Sequence, residues 1–281
     1  MGLGWPVVAA VLGAALLHAG WNALVKSSSD KALDTAVIHT LASLVAVPLA
    51  FTVGLPPASA WPFILVSATI HIGYYIALVG AYQHGELGLT YPLMRGTAPL
   101  LVALSATATV GETLSPLAWA GVLGVSCGVL ALGLSRHAME SPRAVAFALA
   151  NAVVIALYTV VDAIGTRTSG NALQYVAALF LFEGWPFGLL VLARRGWART
   201  WPYARRRAPV AFVGACASLA SYGIALWAMT RAPVATIAAL RETSVLFAAL
   251  LGTWLLKEAF TLRRAVGTAA ILAGVMALRL G

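Results

Sequence analysis

Arg95-Gly-Thr-Ala-Pro-Leu100 and Arg241-Glu-Thr-Ser-Val-Leu246 are two copies of one segment, 146 residues apart. The same offset extends outward from the arginines. It aligns Thr107 with Thr253, Glu112 with Glu258, Gly121 with Gly267, and Gly128-Val129 with Gly274-Val275. An offset of 148 aligns Ile76-Ala-Leu78 with Ile224-Ala-Leu226, a two-residue slip in one loop. Laying the start of each copy together brings Trp21 near Tyr158. Arg, Glu and Thr are scarce against the Leu, Ala and Gly background, so their coincidence at one offset argues for duplication rather than chance. The chain reads as two units, 1–136 and 137–281.

The medium in which these units fold follows from composition. Of 281 residues, 61% are hydrophobic and only 10% charged, where a soluble domain carries about 45–50% apolar and about 25% charged residues. This excludes a soluble enzyme, a disordered chain and a fibrous repeat. It also argues against an outer-membrane barrel, whose strands alternate polar and apolar residues. A bilayer core needs about 20 apolar residues per helix. Ten such spans are predicted: Trp5–Val25, Leu33–Val53, Trp61–Gln83, Gly88–Thr109, Ser115–Leu134, Pro142–Ile164, Ala172–Ala193, Ala208–Met229, Val234–Leu256 and Leu262–Leu280. No loop between them is long enough to be a soluble domain. Each unit holds five spans, and an odd number inverts the second unit relative to the first. The expected fold class is an all-α integral membrane protein, ten transmembrane helices in two inverted five-helix repeats. Secondary transporters built this way hold substrate near the midplane, where the repeats meet.

The net charge is +9. Thirteen Lys and Arg fall in alternate loops, namely Lys26, Lys31, Arg136, Arg143, Arg194, Arg195, Arg199, Arg205, Arg206, Arg207, Lys257, Arg263 and Arg264. The opposite side holds Arg167, Arg231 and Arg279, while Arg95 and Arg241 lie inside spans. The positive-inside rule puts the rich side in the cytoplasm and both termini outside. The basic excess is therefore read as topology, with no nucleic-acid partner expected. Met1 to Pro6 carry no basic run, so the first apolar stretch is expected to remain a span rather than be cleaved. Cys127 and Cys216 sit within apolar runs and read as packing residues.

Glu112 after Gly111, followed by Gly121 and Gly128, and Lys257-Glu258, followed by Gly267 and Gly274, resemble the EamA-type branch of the drug/metabolite transporter superfamily. The resemblance covers nearly the whole chain and implies a transporter of ten spans in two halves. Members are usually drawn with both termini in the cytoplasm, opposite to the charge count. The opening His18-Ala-Gly-Trp-Asn22, with Lys26, is similar to a subgroup associated with phosphonate use.

Charges at membrane depth cost about 2.5–3.5 kcal/mol each on insertion scales, so they tend to face a cavity or a partner. Arg95 lies in Tyr91-Pro-Leu-Met-Arg-Gly-Thr-Ala-Pro99, where two prolines and a glycine should kink or loosen the helix. Arg95 either grips a carboxylate, phosphate or phosphonate with its planar fork or pairs with Asp162, Glu183 or Glu242. Arg241 is its repeat mate, and Glu242 points about 100° away around the helix. His18 and Asn22 are one turn apart, with Trp21 beside them. Tyr158 and Asp162 share a face with Asn151 and Thr159. His71, Tyr74, Tyr75, Leu78 and Tyr82 form an aromatic stripe, with Tyr82 fitting the interface better than the cavity. The expected lining set is Arg95, His18, Asn22, Tyr75, His71, Tyr158, Asp162, Tyr222 and Arg241. Asp162 and Glu183 are the candidates for a coupling proton. Glu112 and Glu258 are expected to be structural.

Gly124-Val-Ser-Cys-Gly128 matches G-x-S-x-G, but that motif works on a strand-to-helix turn; mid-span it reads as close helix packing. With no P-loop, H-E-x-x-H or metal-ligand cluster, no enzyme activity and no cofactor are expected. The expected function is a secondary transporter of a small polar or amphipathic metabolite in the inner (plasma) membrane. Its partners would be that substrate and the bilayer, with a homodimer left open. The rivals are a membrane-embedded lipid enzyme and a regulatory subunit without flux.

Overall fold

The computed structural model describes residues 3–85, 87–133, 141–248, 250 and 262–281. Among these the chain is helical throughout its ordered elements: α1 (Trp5–Lys26), α2 (Lys31–Val53), a 3-10 turn (Ala58–Ala60), α3 (Trp61–His84), α4 (Leu87–Val110), α5 (Pro116–Gly133), α6 (Pro142–Ser169), α7 (Ala172–Arg195), α8 (Trp197–Met229), α9 (Val234–Arg241) and α10 (Leu262–Leu280). Seven of the described helices are long and apolar enough to cross a membrane, and α5 and α10 are shorter apolar helices. Thr253, Lys257, Glu258, Arg136 and the end of the ninth predicted span lie outside the described residues.

Local chemistry sets the helix ends. Asp30 accepts from Leu33 N at 3.2 Å, and Asn171 accepts from Leu173 N and Gln174 N. Each satisfies orphan amides at a helix start. Gly170 closes α6 in the left-handed region at φ 69°, which a residue with a Cβ rarely adopts.

Three helices depart from the expected spans, the first being α6, which runs on past Ile164 to Ser169 and so carries Arg167. α8 begins at Trp197 rather than Ala208, so Arg199, Arg205, Arg206 and Arg207 lie on a helix and not in a loop. Arg207 earns its place there: its Nε and Nη2 meet both oxygens of Asp34, at 2.9 and 3.0 Å. The break in regularity also moves. α4 runs as one helix through Pro92 and Pro99, whereas its repeat mate α9 stops at Arg241. There Glu242 N bonds to Ala239 O, Thr243 N to Leu240 O and Val245 N to Glu242 O. These bonds span three residues instead of four, and the tightened turn re-aims the residues around it. The chain is helical again over 244–248.

The outside of the bundle is apolar. Phe51, Leu55, Leu65, Leu104, Leu189 and Val213 are exposed, a surface suited to contact with lipid. Trp5, Trp197 and Trp201 are exposed near helix ends, where indole rings suit the interface. Inside, small residues bring helices close. A Cβ on Gly121 would lie 2.9 Å from Gly274 O, and one on Gly128 would lie 2.8 Å from Gly267 O. Residue numbers rise along one helix as they fall along the other, so α5 and α10 run antiparallel. The same holds for α2 with α7, α1 with α8 and α3 with α6, which are the other most extensive pairings in the bundle together with α4 on α6.

Candidate functional site

A cluster of polar and aromatic groups is buried in the middle of the bundle. α1 supplies His18 and Trp21, α2 supplies His39, and α3 supplies His71, Tyr74 and Tyr75. α6 supplies Tyr158, α7 supplies Phe180 and Glu183, α8 supplies Ser218 and Tyr222, and α9 supplies Arg241. They enclose a cavity of about 40 Å³. That is room for about one water, where a metabolite site needs about 300–1,000 Å³. In this state the cavity is too small to hold a metabolite.

Six of the nine expected lining residues meet here: His18, His71, Tyr75, Tyr158, Tyr222 and Arg241. The other three sit elsewhere. Arg95 Nε is 2.7 Å from Glu242 Oε2, with both side chains buried; of the three acids named as its possible partners, Glu242 is the one it meets. The turn after α9 explains the split, sending Arg241 to the cavity and Glu242 toward α4. Asp162 lies behind the wall, accepting from the Tyr175 hydroxyl at 2.8 Å and from the Tyr222 hydroxyl. Asn22 folds back, its Nδ2 donating to His18 O at 2.8 Å.

Aromatic packing gives the cavity its shape. His71 stacks on Tyr158 with centroids 4.3 Å apart, and Tyr222 stands edge-on to Tyr158 at 6.1 Å. Arg241 lies with its guanidinium carbon 5.2 Å from the Tyr222 ring centre, a cation–π contact. Glu183 sits between two histidines: His39 Nδ1 is 3.6 Å from Oε1, and His71 Nε2 is 3.6 Å from Oε2. The Tyr75 hydroxyl lies 2.7 Å from His39 Nδ1 and also reaches Glu183 Oε1 at 3.5 Å. Phe180 and Ser218 were not singled out from the sequence. Helical spacing could have found them, since Phe180 is three residues before Glu183 and Ser218 four before Tyr222.

The bundle is tied at both ends by charges. At one end Glu112 meets Arg167 at 2.6 Å and accepts from Val234 N at 2.8 Å. Arg167 also donates to Met229 O and Ala232 O. One clasp thus joins the α4–α5 loop, the end of α6 and the α8–α9 turn. A cleft of about 390 Å³ opens beside it, lined by Thr166, Arg167, Trp227 and Arg231 among others. At the other end Asp34 holds Arg207 and accepts from the Tyr203 hydroxyl at 3.1 Å. Asp30 meets Arg195 and Arg199 there, at 3.4 and 3.2 Å.

Ser126, the serine of the G-x-S-x-G match, lies on the continuous helix α5. Its flanking glycines face α10.

Residues 142–280 match the EamA-like transporter family. Among solved structures, one titled only "Crystal structure of protein" superposes with a TM-score of 0.77 at 20% identity, covering 98% of each chain. That likeness speaks for the fold alone. No curated protein matches the chain.

Proposed function

Through residues 142–280 the chain belongs to the EamA-like transporter family, and from that membership we propose that it is a secondary transporter of a small polar or amphipathic metabolite. It is a multi-pass membrane protein; the inner (plasma) membrane is its proposed home. In this reading ten spans form two inverted repeats, with substrate held between them and exposed to each side in turn. The observation that carries it is the buried polar cavity, drawn from seven helices of both halves in a bundle whose outside is apolar. Desolvated polar groups are costly in lipid, and a protein without cargo gains nothing from gathering them around a cavity.

The inverted arrangement draws support from helix contacts. If a two-fold axis exchanges residue i with i+146, then a contact of Gly121 with Gly274 requires one of Gly267 with Gly128. Both pairs are in contact. Counterpart helices related by an axis in the membrane plane must run antiparallel, as α5 and α10 do. Alternating access draws support from the two clasps. They lie at opposite ends, each joins both halves, and both are made when the cavity is small. Opening one while keeping the other would admit substrate from one side. The charge-rich end, with Asp34 and Arg207, is the cytoplasmic one by the positive-inside rule.

Counterflow in proteoliposomes tests the function. Vesicles preloaded with amino acids, phosphate esters, polyamines or aromatic amines would be given the labelled compound outside. Saturable uptake that depends on preloading is expected for at least one class. Folded, correctly inserted protein that moves none of them faster than protein-free vesicles would sink the proposal.

A further inference from the structure

The cleft beside the Glu112–Arg167 clasp shares no lining residue with the central cavity. At about 390 Å³ it falls within the range of small-molecule sites, about 300–1,000 Å³. It forms where the end of α6, the start of α7 and the end of α8 come together. Two arginines line it, Arg167 and Arg231, and among the described residues no acid does. The charge pattern of the chain makes that pair unusual. Of 18 Lys and Arg, only Arg167, Arg231 and Arg279 fall on this side, and two of those three line one cleft.

Arg231 is held in place but not neutralised. Its guanidinium carbon lies 4.2 Å from the Trp227 ring centre, a contact that orients the fork and leaves its charge intact. Its Nη1 reaches Trp227 O and Thr230 Oγ1, at 3.5 and 3.3 Å. No carboxylate lies within 4 Å of it among the described residues. Glu112, the acid of the clasp, is already paired, one oxygen with Arg167 and the other with Val234 N. Arg167 donates through Nε and Nη2, which leaves its Nη1.

Thr166 supplies an independent observation. A threonine within a helix commonly bonds back to the carbonyl four residues earlier, as Thr168 does to Ile164 O at 2.9 Å. Thr166 makes no such bond. It is wholly buried, it lines the cleft, and its hydroxyl has no hydrogen-bond partner among the described residues. Buried hydroxyls are rarely left unmet, and an oxyanion in the cleft would supply the acceptor. α7 also begins here. Asn171 caps its first amides, so that helix contributes the positive end of its dipole rather than free hydrogen bonds.

We propose that this cleft is an oxyanion site distinct from the central cavity, holding a phosphate group between Arg167, Arg231 and Thr166. Guanidinium forks match phosphate oxygens in geometry and charge. Two sources of that group reach this end of the bundle: the headgroup of an anionic lipid, and phosphate in solution. The proposal stands apart from the transporter reading, because binding here is measured without flux.

The test uses purified full-length protein in detergent, titrated at fixed ionic strength with inorganic phosphate and, separately, with dioctanoyl phosphatidylglycerol. Binding is read by calorimetry and thermal shift. At least one probe should bind saturably. Arg231→Gln, which breaks no ion pair among the described residues, should weaken it at least about tenfold, since a charge-assisted bond is lost. Arg231→Lys should restore part of that loss. Thr166→Val keeps the shape of the side chain without its hydroxyl and should weaken binding severalfold. Arg279→Gln removes the same charge from the same side without touching the cleft, and should change nothing. The probe that responds to Arg231→Gln identifies the source: phosphate alone means a free anion, the lipid alone a headgroup, and both mean that the tighter one is the occupant. An equal loss in Arg279→Gln would reduce the effect to general surface charge and overturn the proposal. So would a loss in Arg241→Gln with none in Arg231→Gln, which would move the anion into the central cavity. Folded protein that binds neither probe saturably would overturn it as well.

Discussion

Arg95 and Glu242 form a buried ion pair at 2.7 Å that joins α4 to the turn following α9. Each residue belongs to the duplicated segment of its own half, so the pair bolts the two copies together beside the cavity. Breaking a buried pair by removing one partner leaves an uncompensated charge, at about 3–5 kcal/mol, whereas replacing both with apolar residues is often close to neutral. Arg95→Met and Glu242→Met should therefore each lower the melting temperature of the detergent-solubilised protein sharply. The double variant should recover most of the loss. A double variant that folds well yet binds no cargo would instead make Arg95 a ligand-contacting group.

The glycine contacts make a second prediction. Gly121 and Gly128 on α5, and Gly267 and Gly274 on α10, leave no room for a Cβ without moving a backbone carbonyl 2.8–3.0 Å away. Overpacking a tight contact costs about 1–3 kcal/mol, so alanine at any of the four should destabilise. Equal losses at Gly121 and Gly267, which are repeat mates, would follow from a two-fold arrangement; unequal ones would speak against it. Gly13 and Gly20 on α1 have nothing within 4 Å of a Cβ. Alanine there should be neutral or stabilising by up to about 1 kcal/mol through helix propensity.

How much of this was legible beforehand depends on the kind of interaction. The glycines could be read because close packing needs a missing side chain, and a missing side chain is visible in sequence. Seven of the ten expected apolar spans were legible for a similar reason, and α10 has the expected limits. The pairing of Arg95 was not legible. Arg241 and Glu242 are adjacent, and which one faces the cavity depends on the three-residue bonds after Ala239, which nothing like a proline announces. The prolines of α4 point the other way, toward a break that does not occur there. α8 was read too short because Arg205-Arg-Arg207 looks like a loop. A helix can carry such a run beyond the bilayer, provided a partner such as Asp34 waits for it. Glu183 was visible as a buried acid, but its histidine neighbours come from α2 and α3, and no local pattern links them.

The arginines of α8 are not equivalent, which gives a third prediction. Arg207 grips Asp34, whose side chain is almost wholly buried at 1% exposure, while Arg199 meets Asp30 with 60% of its own side chain in solvent. Exposed pairs contribute about 0–1 kcal/mol, and a buried carboxylate left without its partner costs more, about 1–3 kcal/mol. Arg207→Ala should lower the melting temperature clearly, and Arg199→Ala hardly at all. Equal effects would mean that Asp34 finds compensation from Tyr203 alone.

The Glu112–Arg167 clasp gives the last prediction, which concerns access rather than stability. Its loss should favour states in which the adjoining cleft deepens toward the cavity, because Arg167 would release the α8–α9 turn it holds through Met229 and Ala232. Arg167 is one-third exposed, so the pair contributes at the modest end, about 1 kcal/mol. That still shifts a two-state population about fivefold. Thr166 is buried and lines the cleft. With Cys127 and Cys216 replaced by alanine, a cysteine placed at 166 should react with a membrane-impermeant maleimide several times faster in Glu112→Gln than in its parent. Glu112→Asp, which keeps the charge on a shorter arm, should fall between them. Labelling that stays the same in all three would mean the clasp only positions the α4–α5 loop, and that the bundle opens by another route.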